Sequence, residues 1–260
     1  MAYEFIRVDR EGPVTVFTLN RPEVMNALHS PAHFELHEAF DAFASDPDQW
    51  VGIVTGAGER AFSAGNDLKH QAMGGDMTSP PSGFAGLAAR FDLTKPLIAA
   101  VNGVAMGGGF EIALACDIII ASETATFALP EPRVGLAALA GGLHRLPRAI
   151  GTKRALGMIL TGRRVSAAHG YELGFVNEVT PPQELMATAR KWAAEICELS
   201  PMSIRASKEA VFMGLDEPSL EAAMKGQRRY PAAAALFKSE DFVEGPMAFA
   251  QKRAPAWKGR

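Results

Sequence analysis

Two glutamates and two glycine-rich junctions carry the residue types and spacings in this chain that suit chemistry. The run Met106-Gly107-Gly108-Gly109-Phe110-Glu111 follows an apolar stretch and opens a helical pattern. Glycines at such a junction leave backbone N–H groups bare at the positive end of the helix. Those groups can hold a developing oxyanion; close packing of a helix against a neighbouring backbone explains the same glycines equally well. A second loop, Ala61-Phe62-Ser63-Ala64-Gly65-Asn66-Asp67-Leu68-Lys69, also exposes its backbone through small residues. Its ordinary reading is a helix cap made by Asn66 or Asp67. Glu111 lies just inside the helix after the glycines, and Glu131 follows it by 20 positions, between Pro130 and Pro132. The prolines fix the backbone and hold the Glu131 side chain in a defined direction. Two such acids suit general acid–base work; an ion pair with Arg133 is the other reading of Glu131.

These groups need elements to position them. Phe5–Val8 and Val14–Leu19 read as strands around a Glu11-Gly12-Pro13 turn, and a helix is expected from about Pro31 to Ala44. Gly52–Thr55, Leu97–Val101 and Ile118–Ala121 read as further strands, the last two flanking the glycine triplet and its helix. Strands alternating with helices imply an α/β core, expected over residues 1–180. From about Pro181 the strand signals stop. The segments Pro182–Leu199, Met202–Gly214, Ser219–Tyr230 and Ser239–Lys252 read as helices, so residues 181–260 form a helical region that wants a partner surface. Gln71–Gly86, rich in Gly, Met, Ser and Pro, reads as a mobile loop.

Composition narrows the function classes. A net charge of −3 offers no general field for nucleic acid. The apolar runs are too short to span a bilayer, and the first ten residues carry charges unlike a signal peptide. Cys116 and Cys197 have no second cysteine at metal or redox spacing, so a reduced, cytoplasmic protein is expected. His29, His33 and His37 repeat every four residues, a spacing that could bind zinc. With no acid or cysteine joining them locally, they read instead as a solvated helix face, and no metal is expected. Neither a dinucleotide fingerprint, a P-loop nor a nucleophile elbow is present.

Taken together, the motifs resemble the crotonase (enoyl-CoA hydratase/isomerase) family. The resemblance rests on Phe62-Ser-Ala-Gly-Asn-Asp-Leu-Lys69, Ala100-Val-Asn-Gly-Val-Ala-Met-Gly-Gly-Gly-Phe-Glu111, Ala115-Cys-Asp-Ile118, Leu129-Pro-Glu131 through Gly135, and Gly141-Gly142. It continues through Leu160-Thr-Gly-Arg163, Gly174-Phe-Val-Asn177 and Glu244-Gly-Pro-Met-Ala-Phe249, and so covers nearly the whole chain. The C-terminal third, with Gly83-Phe-Ala-Gly-Leu87 and Ser239-Glu-Asp241, is similar to the carnitinyl-CoA dehydratase branch of that family. One departure is Gly135-Leu-Ala-Ala-Leu-Ala140, where hydratases of the family often carry Gly-Thr-x-Pro; Asn66 is another.

The resemblance implies an α/β fold, a spiral of ββα units with a helical C-terminal trimerisation region. It implies an acyl-CoA substrate and self-association as a trimer or dimer of trimers, with no nucleic acid or membrane partner. No cofactor is implied beyond the coenzyme A carried by the substrate. By the same resemblance, the N–H groups of Asn66 and Gly108 form an oxyanion hole for the thioester carbonyl, and Glu111 and Glu131 are the catalytic acids. Ala64, Asp67, Leu68, Lys69, Gly107 and Pro130 are expected along the substrate, and Phe249 and Lys252 near the adenine end of a neighbouring subunit's site. Having both acids points to adding or removing water across a 2-enoyl-CoA, carnitinyl-CoA and crotonobetainyl-CoA being one such pair. An isomerase, which needs mainly the acid at Glu131, and a catalytically silent acyl-CoA binder are the alternatives.

Overall fold

The computed structural model describes residues 3–260. In chain order its strands are β1 (Ile6–Glu11), β2 (Val14–Leu19), β3 (Val51–Gly56), β4 (Ala61–Ser63), β5 (Leu97–Val101), β6 (Val104–Met106), β7 (Ile118–Ser122), β8 (Thr126–Ala128), β9 (Val165–Ser166) and β10 (Glu178–Thr180). Its α-helices are α1 (Ser30–Ser45), α2 (Leu68–Ala72), α3 (Gly108–Ala115), α4 (Gly142–Ile150), α5 (Thr152–Ile159), α6 (Ala167–Leu173), α7 (Leu185–Cys197), α8 (Pro201–Asp216), α9 (Leu220–Gly226), α10 (Pro231–Leu236) and α11 (Glu240–Ala250).

The strands form two sheets. The larger has the order β1-β2-β3-β5-β7-β10, parallel except for the antiparallel β1–β2 hairpin. The smaller has the order β4-β6-β8-β9. The chain visits them alternately: β3 leads to β4 and α2, β5 to β6 and α3, and β7 to β8 and the turn at Glu131–Val134. This is a spiral of ββα units. The short strands of the smaller sheet place the glycine triplet and Glu131 just past adjacent strand ends, since β6 and β8 pair in register with Met106 opposite Ala128.

Both faces of the larger sheet are covered, which is why its central strands read as unbroken apolar runs. Successive side chains alternate between two cores. Val16, Ile53, Ile98, Ala100 and Ile120 face α7, which presents Leu185, Ala189 and Ala193 along one stripe. Phe17, Val54, Leu97, Ala99, Val101 and Ala121 face the other core with α1, α3 and the smaller sheet.

Helix α7 therefore covers the sheet of its own chain, although its sequence groups it with the C-terminal helical region. The helices beyond it sit further out. Lys208 on α8 ties them back by donating to Asp117 Oδ2 at 2.8 Å and to the Lys95 carbonyl at 2.9 Å. Asp241 pins the chain's end: it accepts the Ser200 hydroxyl at 2.9 Å and the N–H groups of Lys258 and Gly259. Helix α10, between the third and fourth expected helices, has no counterpart among the elements expected from the sequence. No helix among the described residues is long and apolar enough to cross a membrane.

Candidate active site

The loop at Asn66 is held by a segment that sequence reasoning overlooked. Met25 and Asn26 take left-handed conformations, with φ of 58° and 54°. The turn they make aims the Asn26 amide at the carbonyls of Ala57 and Ala61, at 3.0 and 2.8 Å, while the Ser63 hydroxyl donates to the Asn26 carbonyl. Leu28 then bridges the loop, donating to the Gly65 carbonyl and accepting from the Asp67 N–H, both at 2.8 Å. That pattern turns the intervening Asn66 N–H the other way. Among the described residues no acceptor meets the N–H of Asn66 or of Gly108.

These two bare donors belong to one site. A Cβ on Gly65, whose φ is +88°, would sit 2.8 Å from the Gly108 nitrogen and 2.7 Å from the Met106 carbonyl. Gly107, with φ +54°, turns the chain from β6 into α3 and donates its own N–H to Ala128 at 2.9 Å. A Cβ there would lie 2.8 Å from Glu131 Oε1. The glycines thus serve both of the open readings: close approach and access to the backbone.

Glu111 is 3% exposed, and its Oε1 accepts the Gly142 N–H at 2.8 Å. Burial pushes its carboxyl up to about 7; nearby Glu131 adds to the rise, while the N–H groups of Gly142 and Ala140 and the Arg145 charge oppose it. Glu131 begins the turn Glu131–Val134, and burial raises its carboxyl as well. Its Oε2 is buried with no partner among the described residues. The ion pair with Arg133 does not form: that guanidinium donates instead to the carbonyls of Thr161 and Gly162, at 3.1 and 3.3 Å. Two buried carboxyls of raised proton affinity, one of them with a free oxygen, can exchange protons with a ligand.

The remaining expected residues take varied positions. Ala64 and Pro130 flank the site, half-buried, while Leu68 and Lys69 are exposed on α2. Asp67 shapes the loop. It accepts the His70 N–H, capping α2, and pairs with Arg21 Nη1 at 3.0 Å. The cap reading of this loop and the bare Asn66 N–H therefore coexist. Phe249 projects from α11 with 87% exposure, so it is not the core residue its type alone suggests, and Lys252 is exposed beside it.

The histidines do not make a solvated face, and no metal-binding group of His, Cys, Asp and Glu occurs among the described residues. His29 is buried between the Phe5 and His70 rings, and His33 beneath the segment after Gln71. His33 Nδ1 accepts the Ala85 N–H at 3.0 Å, and burial pulls its imidazole down to about 4. His37 Nδ1 meets the Ser82 hydroxyl at 2.9 Å. These bonds fasten the end of the expected mobile loop to α1. They also deliver Phe84, which the sequence marked only as part of the Gly83–Leu87 motif, with no role assigned. Its ring stacks on His33 at 4.5 Å, and its far edge would meet a Cβ on Gly108 at 2.5 Å. An aromatic wall thus stands beside the bare N–H of Gly108.

The enoyl-CoA hydratase/isomerase family model matches residues 9–260. The chain belongs to this family, also called the crotonase family. It is 45% identical to a carnitinyl-CoA dehydratase of Salmonella arizonae over 98% of this chain and 99% of that one. It is 45% identical to the carnitinyl-CoA dehydratase of Salmonella typhi, over 99% of each chain. Among solved structures it is similar to the enoyl-CoA hydratase of Mycobacterium tuberculosis H37Rv, with a TM-score of 0.92 at 35% identity over 98% of this chain and 99% of that one. The crotonase fold expected from the motifs is therefore the fold of this protein.

Proposed function

We propose that this crotonase-family chain adds water to, and removes it from, the 2,3-positions of an acyl-CoA thioester, with carnitinyl-CoA and crotonobetainyl-CoA as its substrate pair. The observation that carries the reading is the placement of two raised carboxyls, Glu111 and Glu131, around two bare N–H groups. The N–H groups of Asn66 and Gly108 receive the thioester oxygen, so negative charge can move onto it as an enolate. In dehydration Glu131 takes the Cα proton, and protonated Glu111 gives a proton to the departing 3-hydroxyl. In hydration Glu111 takes a proton from the attacking water while Glu131 protonates Cα. A Glu111 carboxyl near 7 exchanges its proton readily in either direction.

Coenzyme A enters as part of the substrate, with no further cofactor. Ala64, Gly107, Leu68 and Pro130 line its arm, and Lys69 supplies a cation to its phosphates; Asp67 acts by shaping the loop. The relatives named carnitinyl-CoA dehydratase, similar over their whole length, support the acyl group. Phe84 beside Gly108 adds an aromatic surface of the kind a quaternary ammonium favours. A trimer or dimer of trimers is supported by the outer helices. Val211, Leu215, Leu220 and Met224 line an exposed apolar groove of about 450 Å³ between α8 and α9, a surface suited to contact with another subunit. Phe249 and Lys252 then reach a neighbour's site. The reading also takes the protein to be cytoplasmic.

Purified protein assayed against a panel of enoyl-CoA thioesters tests this. Hydration of crotonobetainyl-CoA in preference to crotonyl-CoA is expected. Double-bond migration without hydration, or binding without turnover, would overturn the proposal.

A further inference from the structure

Arg145 stands where a cation is electrostatically misplaced. It lies in the first turn of α4, whose N-terminal partial charge is positive. Its guanidinium folds back against Gly141, donating from Nη1 to the Ala140 carbonyl at 3.4 Å and from Nη2 to the Ala88 carbonyl at 2.8 Å. The Phe91 ring covers it at 5.7 Å. Both carbonyls lead back to the site. Ala140 lies in the same turn as Gly142, whose N–H holds Glu111 at 2.8 Å. Ala88 closes the segment that carries Phe84 to Gly108, its N–H bonded to the Phe84 carbonyl at 3.0 Å. One planar fork thus joins the turn that orients an acid to the segment that walls the bare N–H groups. A lysine, with a single ammonium, cannot reproduce that bridge.

We propose that Arg145 is a positioning residue that clamps residues 140–142 to Ala88, keeping the Gly142 N–H aimed at Glu111 while Phe84 stays beside Gly108. It acts through Glu111 and the backbone and does not touch the substrate. The role assigned to Glu111 rests on the proposed hydratase reading; the clamp itself is a property of the fold. The charged groups facing Glu111 are Glu131 and Arg145, and Cys116 faces the guanidinium with its thiol held protonated by burial. Removing the guanidinium takes away a charge and loosens the Gly142 N–H, both of which favour the carboxylate. The Glu111 proton must then be held more tightly.

Carboxyl NMR of ¹³C-glutamate-labelled protein reads this without substrate, with E111Q assigning the Glu111 signal. In R145Q the Glu111 titration should move up by about half a unit or more. In R145K, where the charge remains but the fork is lost, it should move up by less. Hydration by the same proteins should show kcat lowered by about ten-fold in R145Q and partly recovered in R145K, with KM little changed. A Glu111 titration in R145Q equal to that of wild type would overturn the proposal. Should R145Q fail to fold, R145K decides: a raised titration with lowered kcat supports the clamp, and wild-type titration and kcat overturn it. If wild type hydrates no thioester but the R145K titration moves, the hydratase reading fails and the clamp stands.

Discussion

The Gly142 N–H and Glu111 Oε1 lie 2.8 Å apart, joining residues 31 positions distant in the chain. The contact fixes one oxygen of a carboxyl whose proton affinity burial has raised to about 7. Glu131 differs, since its buried Oε2 has no partner among the described residues. One acid is thus held by the backbone and the other is open towards a ligand.

That difference predicts separable roles. Glu131→Gln should abolish both hydration and exchange of the Cα proton. Glu111→Gln should lower hydration by about 10² to 10⁴ fold yet leave some Cα exchange. Deuterium entering Cα of a saturated acyl-CoA, followed by NMR, separates the two. Wild-type exchange in Glu131→Gln would refute the assignment.

Glu111 should also cost stability above neutrality. Its folded carboxyl, near 7, lies above the ordinary value of 4.5, so the folded state holds the proton more tightly than the unfolded chain. Below about pH 4 both states are protonated and there is no penalty. As pH rises through the folded value the penalty reaches its full size, about 3 kcal/mol for a shift of this order. Glu111→Gln should therefore be the more stable protein in urea at pH 8, with the advantage vanishing at pH 4. Equal stability of the two proteins at both pH values would show that burial does not raise this group.

Gly107→Ala should harm activity more than folding. Its φ of +54° and ψ of −125° lie outside the left-handed helical region, and cost an alanine roughly 3 kcal/mol. The new methyl would also press on Glu131 Oε1, 2.8 Å from the ideal Cβ position. Displacing that acid should lower kcat by about 100-fold, measured beside a thermal melt that stays cooperative. A variant with undiminished kcat would show that Glu131 tolerates displacement.

The segment after Gln71 should behave as two parts on hydrogen exchange. Ala85 donates to His33, and the N–H groups of Gly83 and Ala89 are bonded locally, so 83–89 should be protected without ligand. The preceding stretch, 76–79, whose N–H groups meet no backbone acceptor among the described residues, should gain protection only with acyl-CoA bound, as a lid over the pocket. No change there at saturating ligand would count against a lid.

Self-association should be linked to coenzyme A binding. Deleting residues 240–260 should give a smaller oligomer and weaker acyl-CoA binding. Because that deletion also removes Asp241, which pins Ser200 and the chain's end, Phe249→Ala is the cleaner companion: it leaves those bonds intact. It should raise KM with little change in melting temperature. Wild-type size and KM in both proteins would show that α11 serves neither purpose.

The sequence by itself determined the elements with strong local signals. Leu97–Val101 is legible to the residue, and α1 and the strand at Ile118 to within one, because long apolar runs and helical spacing are properties of neighbours in the chain. It also marked Glu111, Glu131 and the two glycine junctions, where prolines fix the backbone and glycines free it locally. Tertiary structure alone decided the rest. The three-residue strands β4, β6 and β8 are too short to show a period, and they exist because each pairs with the next. The histidine spacing is plain, but burial under Ala85 and Ser82 depends on a segment some 50 positions away. Arg133 stands beside Glu131 in sequence and turns to Thr161 and Gly162 instead. What raises Glu111, bares Asn66 and brings Phe84 to Gly108 is desolvation and contact between distant segments, and these arise only when the chain has closed on itself.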